Sequence, residues 1–212
     1  MRERQDKVRD FLAASPVVPV ITIEDANHAV PLARALIAGG ISAIEITLRT
    51  PAARAAAERI AKEVPEALLG IGTALTAADL EAARALGARF ALSPGATPAL
   101  LKAASAQDLP FIPGIGTASE LMQALEYGFD VVKFFPAATM GGIPGLKALS
   151  APFPNVRFCP TGGISEANAS DWLKEPAVLA VGGSWIAPPD LIRAQNWDEI
   201  EKRARKASTL RA

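Results

Sequence analysis

The chain has 212 residues, and its 22 Lys and Arg balance 22 Asp and Glu, so the formal net charge is zero. This length favours a single domain over residues 1–212, and a hydrophobic content of 50% excludes a disordered chain. Because basic residues do not outnumber acidic ones, we expect no nucleic acid as a binding partner. A single cysteine, Cys159, and a single histidine, His28, exclude an internal disulfide and a metal site built on two of either residue. We therefore expect no bound metal.

The amino terminus predicts a polar helix followed by a buried strand. Acidic residues are interspersed with the basic ones there, and Pro16 and Pro19 interrupt the apolar stretch that follows, unlike a secretory signal. No apolar run without Gly or Pro reaches the ~18 residues that a membrane span requires. We therefore expect no membrane association and a cytoplasmic location.

Short apolar runs then alternate with longer amphipathic segments along the whole chain. Eight strands are expected at residues 17–22, 43–47, 68–72, 89–92, 110–113, 131–134, 156–160 and 178–181. Helices are expected at residues 26–38, 52–64, 77–86, 97–106, 118–127, 143–149, 166–174 and 197–210. Thr76 and Thr117 each stand three residues before an acidic residue, as in a capping box.

This alternation predicts an α/β fold, a single (β/α)8 TIM barrel with an extra N-terminal helix. Such barrels usually take ~250 residues and can be as short as ~200. An open doubly wound sheet is the alternative. The chain carries only fragments of its GxGxxG signature, however, at Gly70 and Gly72 and at Gly114 and Gly116.

Lys133 is the least expected residue in the predicted strands, because it lies among Val131, Val132, Phe134 and Phe135. Strand alternation places it on the same face as Val131 and Phe135. If that face is the barrel interior, burial disfavours the charged ammonium, and a neutral amine can form a Schiff base with a carbonyl. The alternative is a strand-end lysine that reaches solvent and pairs with a carboxylate.

Glu45 is the second polar residue in an apolar strand. Alternation turns Ile44 and Ile46 toward the helices, and Glu45 shares the interior face with Ala43 and Thr47. A carboxylate there can act as a general acid or base, or it can be the structural partner of a buried cation such as Lys133.

Further candidates follow the strand ends, where parallel barrels carry their chemistry. Arg49 could bind a carboxylate through two hydrogen bonds, and Thr73 could add another, although such residues are usually surface or turn residues. Two glycine pairs, Gly162-Gly163 and Gly182-Gly183, are placed after the seventh and eighth strands, where barrels often bind phosphate. Either pair alone is most often just a turn.

The remaining distinctive residues have no expected role in chemistry. His28 lies in the first barrel helix, away from the strand ends, and Cys159 lies in an apolar strand. Both are expected to be packing residues. The same is expected of the three tryptophans, which could also form part of a subunit contact. These are Trp172, Trp185 and Trp197.

Seven segments, in chain order, resemble the bacterial 2-keto-3-deoxy-6-phosphogluconate (KDPG) aldolases, which also act as 4-hydroxy-2-oxoglutarate (KHG) aldolases. They are PVVPVI (16–21), EITLRT (45–50), GIGT (70–73), SPG (93–95), VKFFPA (132–137), RFCPTGGI (157–164) and GGSW (182–185). The resemblance implies a class I aldolase, a lyase of the Entner–Doudoroff pathway of carbohydrate metabolism. It also implies a homotrimer, a phosphorylated keto-acid substrate and no metal or cofactor.

The resemblance also implies roles for particular residues. Lys133 would form the Schiff base, and Glu45 would transfer protons. Arg49 and Thr73 would hold the carboxylate of the pyruvate portion. The rest of the expected site comprises Pro94 and Phe135 on its apolar side, Gly162, Gly163 and Ser184 around the phosphate, and Thr161 at the pocket edge.

The chain departs from the family pattern at two places near the barrel mouth. Ala138-Thr139-Met140 stands where an acidic residue is common, and Gly116 stands where a serine is common. These departures leave substrate preference open, including KDPG against its phosphogalactonate analogue. Two other functions remain alternatives: a sugar-phosphate epimerase or isomerase that uses Glu45 without a covalent step, and a non-catalytic barrel that binds a phosphorylated ligand.

Overall fold

The structure is a computed structural model that describes residues 1–210 of the chain. Within these residues the strands are β1 (Val17–Ile21), β2 (Ala43–Thr47), β3 (Leu68–Gly72), β4 (Phe90–Leu92), β5 (Phe111–Ile112), β6 (Gly114–Ile115), β7 (Val131–Phe134), β8 (Arg157–Pro160) and β9 (Val181–Gly183). The α-helices are α1 (Arg2–Ala13), α2 (Ala29–Ala38), α3 (Ala53–Glu63), α4 (Ala77–Ala85), α5 (Pro98–Ser105), α6 (Ala118–Glu126), α7 (Gly142–Ser150), α8 (Ala169–Leu173), α9 (Pro189–Arg193) and α10 (Trp197–Ser208). No helix among residues 1–210 is long and apolar enough to cross a membrane.

The strands form two parallel sheets that curl into a half-barrel. One sheet has the order β5-β4-β3-β2-β1-β9, and the other has the order β6-β7-β8. Only Pro113 separates β5 from β6, and isolated parallel bridges join Phe158 to Val178 and Thr161 to Gly182. The carboxyl ends of parallel strands share one edge of a sheet, so residues that follow the strands are brought together there. The α/β class with parallel strands is confirmed.

The two faces of the sheets belong to different hydrophobic clusters. An outer cluster, between strands and helices, includes Ile44, Ile46 and Phe134. An inner cluster, on the concave face, consists of Val8, Leu12, Val18, Ala43, Phe90, Leu92, Ile112, Val131, Cys159 and Ala180. This division confirms the strand alternation predicted for β2 and β7.

Helix α1 packs against β5 and β7 and contributes Val8 and Leu12 to the inner cluster. Gln5 joins it to the strands by hydrogen bonds. The Gln5 amide donates to the carbonyl of Phe111 (3.3 Å), and its Oε1 accepts from the backbone N–H groups of Asp130 (3.1 Å) and Val131 (3.0 Å). The polar helix predicted at the amino terminus is therefore present.

The last strand is shifted from its predicted position. It was expected at residues 178–181, but β9 is Val181–Gly183, and Val178 makes only an isolated bridge. Gly182 and Gly183 were expected to follow the strand, whereas they pair with Val18 and Pro19 of β1. Glycine is needed there because a Cβ at Gly183 would lie 1.7 Å from the Trp185 ring. The prediction of a loop at these glycines was wrong.

Smaller differences also have local causes. The predicted fifth strand is split into β5 and β6 at Pro113, which has no N–H to donate to a neighbouring strand. Helix α8 begins at Ala169 rather than at residue 166, and α9 was not predicted. Thr76 and Thr117 form capping boxes with Asp79 and Glu120, as expected.

Candidate active site

Lys133 and Glu45 form a buried ion pair on the concave face of the sheets. The Nζ atom of Lys133 lies 3.1 Å from Oε1 and 3.5 Å from Oε2 of Glu45. Their side chains are 3% and 1% exposed, respectively. Lys133 therefore points to the interior of the sheets and does not reach solvent. Two charges removed from water are costly unless they compensate each other, and here each is the other's partner.

Gly72, at the end of β3, makes room for the Glu45 carboxylate. A Cβ at position 72 would lie 2.0 Å from Oε1 of Glu45. The strand next to β2 must therefore carry glycine at this point, since the obstructing group is the carboxylate itself. This supporting role of Gly72 was not predicted, although Gly72 lies in the segment GIGT on which the family resemblance partly rests.

A cavity of about 270 Å³ opens at the carboxyl ends of the strands and reaches Lys133. This volume is near the lower end of the roughly 300–1,000 Å³ typical of ligand pockets, which suits a small substrate. The Phe135 ring lies beside the amine, with its centroid 5.5 Å from Nζ of Lys133. The expected site residues that the structure brings together in the cavity wall are Arg49, Lys133, Phe135, Thr161, Gly162, Gly163 and Ser184.

Glu45, Thr73 and Pro94 are not among the described residues that line this cavity, although Glu45 touches Lys133, which does. Thr73 instead supports Arg49, whose Nε donates to its hydroxyl at 3.2 Å. Thr73 also has a φ of 63°, an uncommon conformation for a residue other than glycine. Pro94 packs closely against Gly114, where a Cβ would lie 2.4 Å from the Pro94 carbonyl carbon. The cavity wall therefore does not show the direct ligand contact that was expected of Thr73 and Pro94.

The loop after β8 has the conformation that its glycines permit. Gly162 and Gly163 have φ values of 99° and 75°, in the region that favours glycine. The loop after β7 supports them, because the backbone N–H of Ala138 donates to the Gly162 carbonyl at 3.0 Å. A Cβ at Gly163 would lie 2.4 Å from that of Ala138, so the two loops are in close contact.

The two departures from the family pattern lie next to each other. A Cβ at Gly116 would lie 3.0 Å from Cε and 3.6 Å from Sδ of Met140. The Met140 side chain therefore occupies the space beside Gly116, which a larger residue would share with it.

Several cavity residues were not predicted. Thr22, which follows β1, is the polar one among them, and it stands at a strand end just as Thr73 does. The same signal could have identified it. The apolar ones are Val20, Ile164, Ala187 and Pro189.

The residues expected to be structural do pack against other side chains. The His28 ring meets the Trp197 ring edge-on, with centroids 5.8 Å apart, and Cys159 is buried in the inner cluster. Trp172 is buried in the outer cluster, and Trp185 is a partly buried residue that packs against this cluster. Among residues 1–210, no three His, Cys, Asp or Glu side chains are grouped so that they could hold a metal ion.

The fold and site define a class of α/β enzyme in which a buried amine faces a carboxylate beneath a cavity at the strand ends. The model of one family, described as KDPG and KHG aldolase, matches residues 8–203. The KHG/KDPG aldolase of Escherichia coli (strain K12) is 50% identical over 207 residues, which cover 98% of this chain and 97% of that protein. The chain belongs to the KDPG and KHG aldolase family.

Two solved structures are similar over nearly their whole length. The KDPG aldolase of Legionella pneumophila, with pyruvate captured as a covalent carbinolamine intermediate, is 48% identical with a TM-score of 0.93. The match covers 95% of this chain and 98% of that one. The KDPG aldolase of Zymomonas mobilis ZM4, with 3-phosphoglycerate, is 43% identical with a TM-score of 0.91, and the match covers 98% and 97% of the two chains.

Proposed function

We propose that this protein is a class I aldolase that reversibly cleaves KDPG to pyruvate and D-glyceraldehyde 3-phosphate. The observation that carries the proposal is the 3.1 Å contact between Lys133 Nζ and Glu45 Oε1, a buried pair whose lysine lines the cavity. Family membership supports it, as does the pyruvate carbinolamine in the Legionella pneumophila relative. The reaction needs no metal or cofactor, because the electron sink is an imine formed with Lys133.

The first steps form the imine. Glu45 can accept the proton that the Lys133 ammonium must lose, which leaves a neutral amine. The amine attacks the C2 ketone of KDPG and a carbon–nitrogen bond forms. Protonated Glu45 returns its proton to the former ketone oxygen, which leaves as water, and Glu45 is again a carboxylate. The resulting protonated imine attracts electrons from the C3–C4 bond.

The next steps break the carbon chain. Glu45 removes the C4 hydroxyl proton, the C3–C4 bond breaks, and its electron pair passes to C3 to give an enamine. D-Glyceraldehyde 3-phosphate is released. Protonation of the enamine at C3 returns the proton, and hydrolysis of the imine frees pyruvate and Lys133.

The other cavity residues hold the two ends of the substrate. Arg49, supported by Thr73, binds the carboxylate of the pyruvate portion, and Phe135 forms its apolar side. The phosphate is bound by Gly162, Gly163 and Ser184, with Thr161 at the pocket edge. The positive φ values of Gly162 and Gly163 support this assignment, because such turns can present backbone N–H groups to an anion.

A second substrate, KHG, is supported by the family description and by the name of the Escherichia coli relative. The phosphogalactonate analogue of KDPG differs only in configuration at C4. Pyruvate release from a panel of the three compounds measures these preferences directly.

The same proposal covers the architecture. The two sheets close into one (β/α)8 barrel to which α1 is an extra helix, and the chain is one cytoplasmic domain that assembles as a homotrimer. Bridges between β8 and the segment of β9 support closure. Light scattering tests the assembly, for which we expect about three times the chain mass of 22.1 kDa.

Borohydride reduction in the presence of pyruvate tests the aldolase chemistry. We expect the mass of one reduced pyruvyl group on Lys133, located by peptide mapping. An epimerase or a non-catalytic phosphate-binding protein would give no such adduct, and its absence would contradict the proposal.

Two variants separate the roles of the ion pair. Lys133→Met removes the covalent route, so we expect neither adduct nor turnover. Glu45→Gln should retain the adduct and lose about 10²–10⁴-fold in turnover, the usual contribution of a positioned general base. Comparable turnover in the two variants would refute this assignment of roles.

A further inference from the structure

Thr22 lines the cavity, and strand register sets its distance from the Lys133–Glu45 pair. Val20 of β1 pairs with Glu45 of β2, so two residues further along Thr22 lies beside Thr47. Two residues of strand advance about 7 Å. Thr22 is thus nearer the cavity mouth than the Lys133–Glu45 pair by about that distance.

The hydrogen-bond partners of Thr47 determine where the hydrogen of the Thr22 hydroxyl points. The Thr47 hydroxyl, which is fully buried, donates its single hydrogen to the carbonyl of Ile21 at 2.8 Å. The oxygens of Thr22 and Thr47 are 3.3 Å apart, and either could be the donor on distance alone. Because a threonine hydroxyl has only one hydrogen, Thr22 must be the donor in this contact.

Because the hydrogen of the Thr22 hydroxyl is bonded to Thr47, only the oxygen lone pairs of Thr22 are available to a ligand in the cavity. From this geometry we infer that Thr22 is a specificity-determining residue that accepts a hydrogen bond from a substrate hydroxyl. It cannot donate to a substrate oxygen without giving up its bond to Thr47. The position therefore favours a hydroxyl over a carbonyl or carboxylate oxygen.

The neighbouring strands identify which hydroxyl this is, on the basis of the proposed aldolase function. Strand β1 lies between β2, which carries Glu45, and β9, whose Gly182 and Gly183 line the phosphate end of the cavity. In KDPG the C4 hydroxyl is assigned to Glu45, and the phosphate is on C6. Thr22 thus faces the C5 hydroxyl, which KHG does not have.

The test compares Thr22→Val with the matched control Thr22→Ser. Valine has nearly the same shape but no hydroxyl, whereas serine keeps the hydroxyl. Neither change removes the acceptor of Thr47, whose hydrogen remains on the Ile21 carbonyl. Pyruvate release is measured with KDPG, with its 5-deoxy analogue and with KHG, and thermal unfolding of each variant is measured alongside.

We expect Thr22→Val to lower kcat/KM for KDPG by about 3- to 10-fold, the usual effect of one neutral hydrogen bond. It should leave kcat/KM for the 5-deoxy analogue and for KHG unchanged, and Thr22→Ser should behave like the unaltered chain. An equal loss on all three substrates, or no loss on KDPG, overturns the assignment of Thr22 while the aldolase proposal stands. If the unaltered chain releases no pyruvate from any of them, both proposals are refuted.

Discussion

At the scale of single residues, the position of Glu45 depends on the missing side chain at Gly72. We predict that Gly72→Ala displaces the carboxylate from Lys133, because its Cβ would lie 2.0 Å from Oε1. Turnover should then fall toward the ~10²–10⁴-fold loss that accompanies removal of a general base. Steady-state kinetics measure the fall, and circular dichroism checks that the variant is folded.

Gly95→Ala is the matched control for this substitution. A Cβ at Gly95 meets nothing within 4 Å, and Gly95 lies in the loop that follows β4 on the same sheet. Its turnover should stay close to that of the unaltered chain. Normal turnover in folded Gly72→Ala would show that Glu45 can move without loss and would contradict the prediction.

Strand alternation was sufficient to predict that Glu45 points to the interior, since Ile44 and Ile46 take the other face. For Lys133 it predicted only the shared face with Val131 and Phe135, and the choice between interior and solvent stayed open. Gly72 and Thr22 were not found in this way. Their roles come from which residues lie side by side on different strands, namely Thr47 with Gly72 and Val20 with Glu45. Register between strands is set by packing of the whole sheet and cannot be read from any one segment.

At the scale of elements, Gln5 adds buried hydrogen bonds to the apolar packing that holds α1 against the strands. We predict that Gln5→Ala lowers the free energy of unfolding, because it leaves the N–H of Val131 and the carbonyl of Phe111 without their partner. Each buried group left unsatisfied costs about 1–3 kcal/mol. Urea unfolding measures the change.

Gln123→Ala is the control for Gln5→Ala, because Gln123 is an exposed helical glutamine in α6. Its unfolding midpoint should barely change. The kcat of folded Gln5→Ala should stay near normal, since Gln5 is bonded to the backbone of the strands and does not line the cavity. Equal midpoints for both variants would show that the Gln5 hydrogen bonds do not stabilise the fold.

Elements were predictable where local chemistry agrees with the tertiary structure. The capping boxes at Thr76 and Thr117 involve residues three apart, and both helices begin where they were expected. Strand β9 was misplaced because glycine has low strand propensity. Gly182 and Gly183 nevertheless pair with β1, since only glycine leaves room for the Thr161 and Trp185 side chains.

At the scale of the whole molecule, the site lies above a closed apolar floor. Ala43 and Val131, one strand repeat before Glu45 and Lys133, belong to the inner cluster to which α1 contributes. Beyond the ion pair, the cavity wall combines apolar side chains with polar residues and glycines. The Lys133–Glu45 pair thus lies at the boundary between the apolar inner cluster and a cavity that a polar substrate can fill.

If the barrel is closed, we predict slow hydrogen exchange of the backbone amides between β8 and β9. Two backbone hydrogen bonds join β8 to the segment before β9: Phe158 N–H to the Ala177 carbonyl (2.8 Å) and Leu179 N–H to the Phe158 carbonyl (3.0 Å). If the sheets close into one barrel, these amides are released only when the whole molecule unfolds. They should then exchange as slowly as the amide of Leu68, which is bonded to Ser42 within the larger sheet.

Native-state exchange followed by NMR or by mass spectrometry with fine fragmentation measures these amides individually. The amide of Ala106, at the exposed end of α5, is the reference for local opening and should exchange fast. Added denaturant should accelerate exchange at Phe158, Leu179 and Leu68 alike, because unfolding of a single cooperative unit exposes them together. Exchange at Phe158 and Leu179 as fast as at Ala106 would mean that the β8–β9 seam opens on its own, and that the chain folds as a curled open sheet.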